Sequence, residues 1–232
     1  IVAIVIGFYS AKVMLTKMLF DFSIFKDALK FSWPLALSSL LWYFLSGVDR
    51  LMLEKLDDST TFALYNIGVS LSGFLGLFYI AIAQTFEPDI YKAIAEKRLN
   101  KLVKIILGIV VINAIPVLVF IIFSKPLTGL LTAGRYTDAA PFASIISLKN
   151  ITTSFYYSII AIIVGFGFTR AELGLRAIGA GICVLMFLTL IKKFGFYGAA
   201  WGQVFSFLLM SIFGLLFILY KMKTNKLYAK CD

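Results

Sequence analysis

The chain has 232 residues, 61% of them hydrophobic, with a mean hydropathy of +0.95. That much apolar surface excludes an ordinary soluble domain and predicts a polytopic membrane protein. Its formal net charge of +10 would suit nucleic acid, but the basic residues fall between apolar runs, where they set membrane topology instead. The absence of histidine removes His-based metal sites and triads. Cys183 and Cys231 are isolated thiols with no CxxC spacing, so neither a disulfide framework nor a metal site is expected.

Apolar segments of about 20 residues predict transmembrane helices. Ile1–Leu15 reads as the end of a preceding helix, and the chain as the C-terminal portion of something longer. A cytoplasmic linker is expected over 16–27. Six full spans follow over 28–220: Ala28–Leu56, Thr61–Phe86, Leu102–Phe123, Ala139–Phe166, Glu172–Ile191 and Tyr197–Tyr220. A basic tail over 221–232 closes the chain. The expected fold is therefore all-α, a transmembrane bundle whose short linkers make neighbouring helices antiparallel.

The first full span carries the most chemistry. At helical spacing Ser32, Ala36, Ser39, Tyr43, Ser46, Arg50 and Glu54 share one stripe, and Asp49 adjoins Arg50. Ionisable groups inside a span are costly and usually face a protein interior or a watery cavity. The competing reading is a local pair from Arg50 to Glu54 at the membrane boundary. The stripe favours the cavity.

On the second span Tyr65, Ser72, Gly76, Tyr79 and Glu87 form a weaker stripe, better explained by packing. Glu87, like Asp49, is a possible site for a coupling cation. Pro88 is expected to kink or restart the helix within an interfacial extension, Phe86–Arg98. The fourth span holds Ser147–Ser158, in which Lys149, Thr153 and Tyr156 share a face with Thr152. Lys149 lies too deep to reach the interface easily and calls for a counter-charge, water or an anionic ligand. The hydroxyls suit a cavity or interhelical bonding equally well. Ala177 with Gly181, and Gly198, Gly202 and Ser206, have the four-residue spacing of close-packed faces. Trp33 and Trp201 suit interfacial anchors, while Trp42 lies deeper and could stack on a sugar.

Lys and Arg concentrate in alternate linkers: Lys12–Lys30, Lys92–Lys104, Arg170 and Arg176, and Lys221–Lys230. The intervening linkers hold only Lys55, Lys125, Arg135, Lys192 and Lys193. The positive-inside rule then puts the C-terminus in the cytoplasm. No P-loop, HExxH or nucleophile elbow occurs, so the chain is not expected to be an enzyme.

Four segments in order carry a family resemblance: KFSWPLALSSLLWYFLSGVDRLML from Lys30, LYNIGVSLSG from Leu64, FEPDIYKA from Phe86 and KKFGFYGAAWGQVFSF from Lys192. The chain resembles the C-terminal half of bacterial polysaccharide (O-antigen, lipid-linked oligosaccharide) flippases, within the multidrug/oligosaccharidyl-lipid/polysaccharide exporter superfamily. The resemblance implies two six-helix lobes around a cationic cavity, with the first two full spans here among its walls. It implies an inner-membrane protein that flips oligosaccharide-bearing undecaprenyl pyrophosphate by alternating access. Ser39, Tyr43, Ser46, Asp49, Arg50, Lys149, Thr153 and Tyr156 are the expected cavity residues. Expected partners are the lipid-linked oligosaccharide, membrane lipids, an N-terminal lobe and other polysaccharide-assembly proteins; no cofactor and no nucleic acid are expected. Among rivals, a multidrug/cation antiporter would place carboxylates as its main cavity charges, and a glycan polymerase or ligase would carry a larger outer loop than Ser124–Asp138. A non-transporting membrane subunit fits the polar stripes less well.

Overall fold

The structure, a computed structural model, describes residues 22–45 and 47–223. Residues 22–33 and 34–223 belong to separate compact units, each described by itself. The expected preceding helix over 1–15, the start of the linker, Ser46 and the tail beyond Lys223 lie outside the described residues.

Every described element is helical. Helix α1 is Phe22–Leu45, so the expected linker is already helical from Phe22. The short α2, Val48–Leu53, continues into a 3-10 turn, Glu54–Leu56. Then come α3 (Ser59–Ala95), α4 (Leu99–Ile122), the short α5 (Ser124–Leu131), a 3-10 turn (Thr137–Ala139), α6 (Ala140–Gly165) and α7 (Thr169–Lys223).

Among the described residues four helices are long and apolar enough to cross a membrane, against the six spans expected. Two local events account for the difference. First, the segment expected as one span, Ala28–Leu56, is interrupted between α1 and α2, where Gly47 stands at the α2 N-terminus. Glycine is the poorest helix former after proline. Second, α7 runs for 55 residues but breaks at Gly195, whose φ of 56° and ψ of −131° are not helical. The segments on either side fold back on one another. The Gly198 Cα lies against the Leu190 carbonyl, Gly202 against Phe187 and Gly179 against Met210. These pairs straddle Gly195 almost symmetrically, so α7 is a hairpin of two arms, 169–194 and 196–223. The glycines permit the close approach that side chains would block. The face expected at Ala177 and Gly181 is instead exposed, and Gly179 provides the contact.

Helix α6 is the hub and packs on α3, α4 and α7. In lipid the transfer of apolar surface does not drive helices together, so packing and interhelical hydrogen bonds must. Asn150 Nδ2 donates to the Ser72 carbonyl at 3.1 Å, joining α6 to α3. Asn113 Nδ2 donates to the Asn150 carbonyl at 3.1 Å, joining α4 to α6. The hydroxyls of Ser147, Thr152, Ser154 and Ser158 donate back into their own helix.

The termini follow from local chemistry. Asp58 caps α3 by accepting from the Thr61 N–H at 3.0 Å. The α3 helix runs through Pro88 without the expected restart and ends where Lys97 turns left-handed, φ 55°. Gly167 makes the same left-handed exit from α6, φ 75°. Within the expected outer loop Ser124–Asp138, α5 and its exit through Ala133 and Gly134 supply regular structure. A core cluster containing Ile94, Leu102, Phe166 and Ile218 marks one end of the bundle. The Lys- and Arg-rich segments 92–104, 170–176 and 221–223 gather at that end. A second cluster, with Leu53, Tyr65, Phe142 and Phe196, marks the other.

Candidate functional site: a buried polar network on the hairpin

Successive helical residues point about 100° apart. Within α2, Asp49 accordingly faces into the protein and Arg50 out of it: Asp49 is 3% exposed, while Arg50 is exposed. The Asp49 carboxylate is held by two neutral donors. Tyr65 Oη donates to Asp49 Oδ2 at 2.6 Å, and Gln203 Nε2 donates to the same oxygen at 2.7 Å. Gln203 Nε2 also donates to Tyr65 Oη at 2.8 Å. On its other side, Gln203 Oε1 accepts from Lys149 Nζ at 2.8 Å.

The amide orientation is fixed by its neighbours. An ammonium can only donate and a carboxylate only accept, so the amide oxygen must face Lys149 and its nitrogen Asp49. Gln203 thus stands between a cation and an anion and contacts both. The network joins α2, α3, α6 and the second arm of α7. It borders a cavity of about 70 Å³ lined in part by Asp49, Lys149, Cys183, Gln203 and Ser206. That space admits a few waters and no sugar.

The expected cavity residues divide. Asp49 and Lys149 meet through Gln203. Thr153 and Tyr156 lie below Lys149 on the same face of α6, both buried, and among the described residues their hydroxyls meet no hydrogen-bond partner. Ser39 is exposed and its hydroxyl donates to the Leu35 carbonyl at 2.9 Å. Arg50 is exposed away from the cavity, and among the described residues it forms no ion pair with Glu54. The side chain of Tyr43 and all of Ser46 lie outside what is described, as does the Trp42 side chain. The continuous stripe from Ser32 to Glu54 is interrupted by the helix break. On α1 the buried polar side chain among the described ones is Ser38, next to the expected Ser39.

Ser38 belongs to a second buried cluster, not anticipated from the sequence. Its hydroxyl donates to Glu172 Oε1 at 2.8 Å. Arg176 grips the same oxygen through Nε at 2.8 Å and its terminal nitrogen at 2.7 Å. Glu172 is fully buried, and its Oε2 has no partner among the described residues. The Arg176 guanidinium also lies 5.8 Å from the Tyr157 ring centre. By its place in the sequence Arg176 counts among the topology-setting cations of a linker, but in the fold it is a buried ion-pair partner. The signal was its i, i+4 spacing from Glu172, which pairs opposite charges on one helix face. Glu87, the other possible cation site, is half-buried and accepts a short hydrogen bond from the Tyr91 hydroxyl. Among the described residues no group of acidic residues or cysteines is placed to hold a metal ion.

No curated protein and no solved structure matches the chain. Residues 1–92 do match the family described as "Polysaccharide biosynthesis protein", which agrees with the flippase resemblance, and with its membrane-length helices the chain fits a membrane protein of polysaccharide assembly.

Proposed function

We propose that the protein is one lobe of an exporter that flips a lipid-linked oligosaccharide from the cytoplasmic to the periplasmic leaflet of the inner membrane. The cargo is an oligosaccharide on undecaprenyl pyrophosphate, destined for a surface polysaccharide of the O-antigen type. The observation that carries this reading is Lys149, a basic residue in the middle of a membrane-length helix and beside a cavity; the polysaccharide-biosynthesis match over residues 1–92 supports it from the preceding part of the chain. A pyrophosphate cannot cross low dielectric without fixed positive charge nearby. In the arrangement described here Lys149 is committed to Gln203, and the cavity is too small for cargo. The reading therefore requires the network to open as the two lobes rock. The basic end of the bundle faces the cytoplasm in this account and carries the C-terminus with it. The N-terminal lobe, membrane lipids and other assembly proteins are its partners, and no catalysis is assigned to it.

A second reading, the cation antiporter, gains from one observation. The acid Asp49 is buried at the cavity while Arg50 is not. Complementation separates the two in a host lacking its own exporter. Lys149→Ala should abolish surface polysaccharide with membrane insertion intact, and Lys149→Arg should restore part of it. Drug efflux that depends on Asp49, with normal polysaccharide in Lys149→Ala, would instead favour the antiporter.

A further inference from the structure

A larger cavity, of about 380 Å³, lies toward the basic end of the bundle and away from the Asp49 network. Its volume falls in the ~300–1,000 Å³ range of small-molecule sites. Leu35 of α1, the α3 segment from Tyr79 to Tyr91, Ile109 of α4 and the C-terminal half of α6 line it. Its polar groups are the Glu87 carboxylate, the Gln84 amide and the Ser158 hydroxyl, and its aromatic walls are Tyr79, Tyr91 and Tyr157. The Tyr79 and Tyr157 rings lie 5.5 Å apart, inclined at 37°, so they form one continuous aromatic wall.

This lining discriminates among ligands. Among the described residues that line the space Glu87 is the charged one, and the nearby Arg176, over the Tyr157 ring, is already paired with Glu172, which disfavours a phosphate. The aliphatic part of the lining, Ile80 and Ile109 among it, would accept a polyprenyl or acyl chain, but such a chain would offer nothing to the Glu87 carboxylate and the Gln84 amide. A pyranose ring meets both demands. Its C–H face packs on tyrosine rings, and its hydroxyls donate to a carboxylate and exchange hydrogen bonds with an amide. The Tyr91 hydroxyl already bonds to Glu87 Oε1, which orients the carboxylate. The α3 wall, up to Tyr91, also lies inside the segment matched to polysaccharide biosynthesis proteins.

We propose that this cavity is a binding site for a neutral pyranose ring, with Tyr79 and Tyr157 as the stacking wall and Glu87 and Gln84 as hydroxyl partners. The proposal rests on the export reading only for its biological purpose, because the binding itself needs no transport. The test is saturation-transfer difference NMR on the protein in lipid nanodiscs, free of glycoside detergents. The probes are the methyl glycosides of glucose, galactose and N-acetylglucosamine. Irradiating aromatic protons should transfer saturation to ring protons of at least one probe. Glu87→Gln should weaken that binding about tenfold, the loss of one hydrogen bond to a charged group. Tyr79→Leu should abolish the transfer, and Trp201→Leu, remote on the second arm of α7, should leave it unchanged. Circular dichroism and melting of each variant establish that it is folded. Transfer that is absent in the wild-type protein, or equal in folded Glu87→Gln and Tyr79→Leu, overturns the site. So does native mass spectrometry showing a retained lipid that is lost in Tyr79→Leu. Sugar binding without export would leave the site standing and remove the flippase reading; export without sugar binding here would do the reverse.

Discussion

Replacing Gln203 by leucine tests the buried network at its centre. The amide makes hydrogen bonds to Asp49, Tyr65 and Lys149, and two of those partners are charged. Neutral interhelical hydrogen bonds in membranes average only about 0.6 kcal/mol, so the Tyr65 bond contributes little. Bonds to charged groups contribute about 1.5–3 kcal/mol each. Leucine would leave the Lys149 ammonium without its acceptor and Asp49 with Tyr65 as its remaining donor. Two such losses sum to about 3–6 kcal/mol before relaxation. The adjacent cavity can admit water to both charges, which puts the expected cost near the low end, about 3 kcal/mol. Reversible unfolding in mixed micelles measures it. A double-mutant cycle with Lys149→Met should then show the two changes to be strongly non-additive, because the second removes a charge that the first has stranded. A cost for Gln203→Leu within about 0.5 kcal/mol of zero, the range of an inconsequential surface change, would refute the reasoning.

The helical hairpin and the caps yield further expectations. Gly198→Ala would drive a methyl group into the Leu190 backbone carbonyl and should cost about 3 kcal/mol or more, read as loss of folded protein in a melting assay. Gly179→Ala meets only the flexible Met210 side chain, so it should cost about 1 kcal/mol, and equal penalties at the two positions would contradict the hairpin geometry. Ala133 holds a left-handed φ of 51° at the exit of α5, so Ala133→Gly should raise the melting temperature, by a stabilisation of about 1 kcal/mol. The Asp58 carboxyl is held below the usual carboxylate range by its bonds to Thr61. A lowered folded-state pKa means the cap's stabilisation is complete above the unfolded value, 3.8, and is lost as pH falls through the folded one. Asp58→Asn should therefore flatten the acid limb of the stability profile.

Much of the bundle was legible because a membrane helix must be long, apolar and internally hydrogen-bonded. Helices α4 and α6 fall within a few residues of their expected spans, while α3 begins where expected and runs on past Phe86 to Ala95; the short turns between them carry the capping and left-handed residues that end helices. The Gly195 hairpin was readable as a boundary between two spans, and Gly198 and Gly202 as its packing face. Periodicity failed where it assumed one unbroken helix. The stripe from Ser32 to Glu54 depends on uninterrupted 3.6-residue spacing, and the chain is not one helix through Gly47. Asp49 lies inward and Arg50 outward, the reverse of the expected emphasis. Gln203 escaped notice because a single amide among glycines looks like packing; only the folded hairpin brings it between Asp49 and Lys149. Glu172 and Arg176 escaped because basic residues near a span end were read as topology signals, a rule that weighs loop charge and ignores pairing.

Leaflet distribution of the cargo tests the central claim most directly. In cells lacking their own exporter, radiolabelled lipid-linked oligosaccharide can be assigned to the cytoplasmic or periplasmic leaflet by its accessibility to a membrane-impermeant glycosidase. With the intact transporter carrying this lobe, the account predicts that most of the lipid-linked oligosaccharide becomes accessible from the periplasm, and that Lys149→Ala, inserted at equal level, leaves it on the cytoplasmic side. Equal periplasmic accessibility with Lys149→Ala, or with no transporter at all, would contradict it.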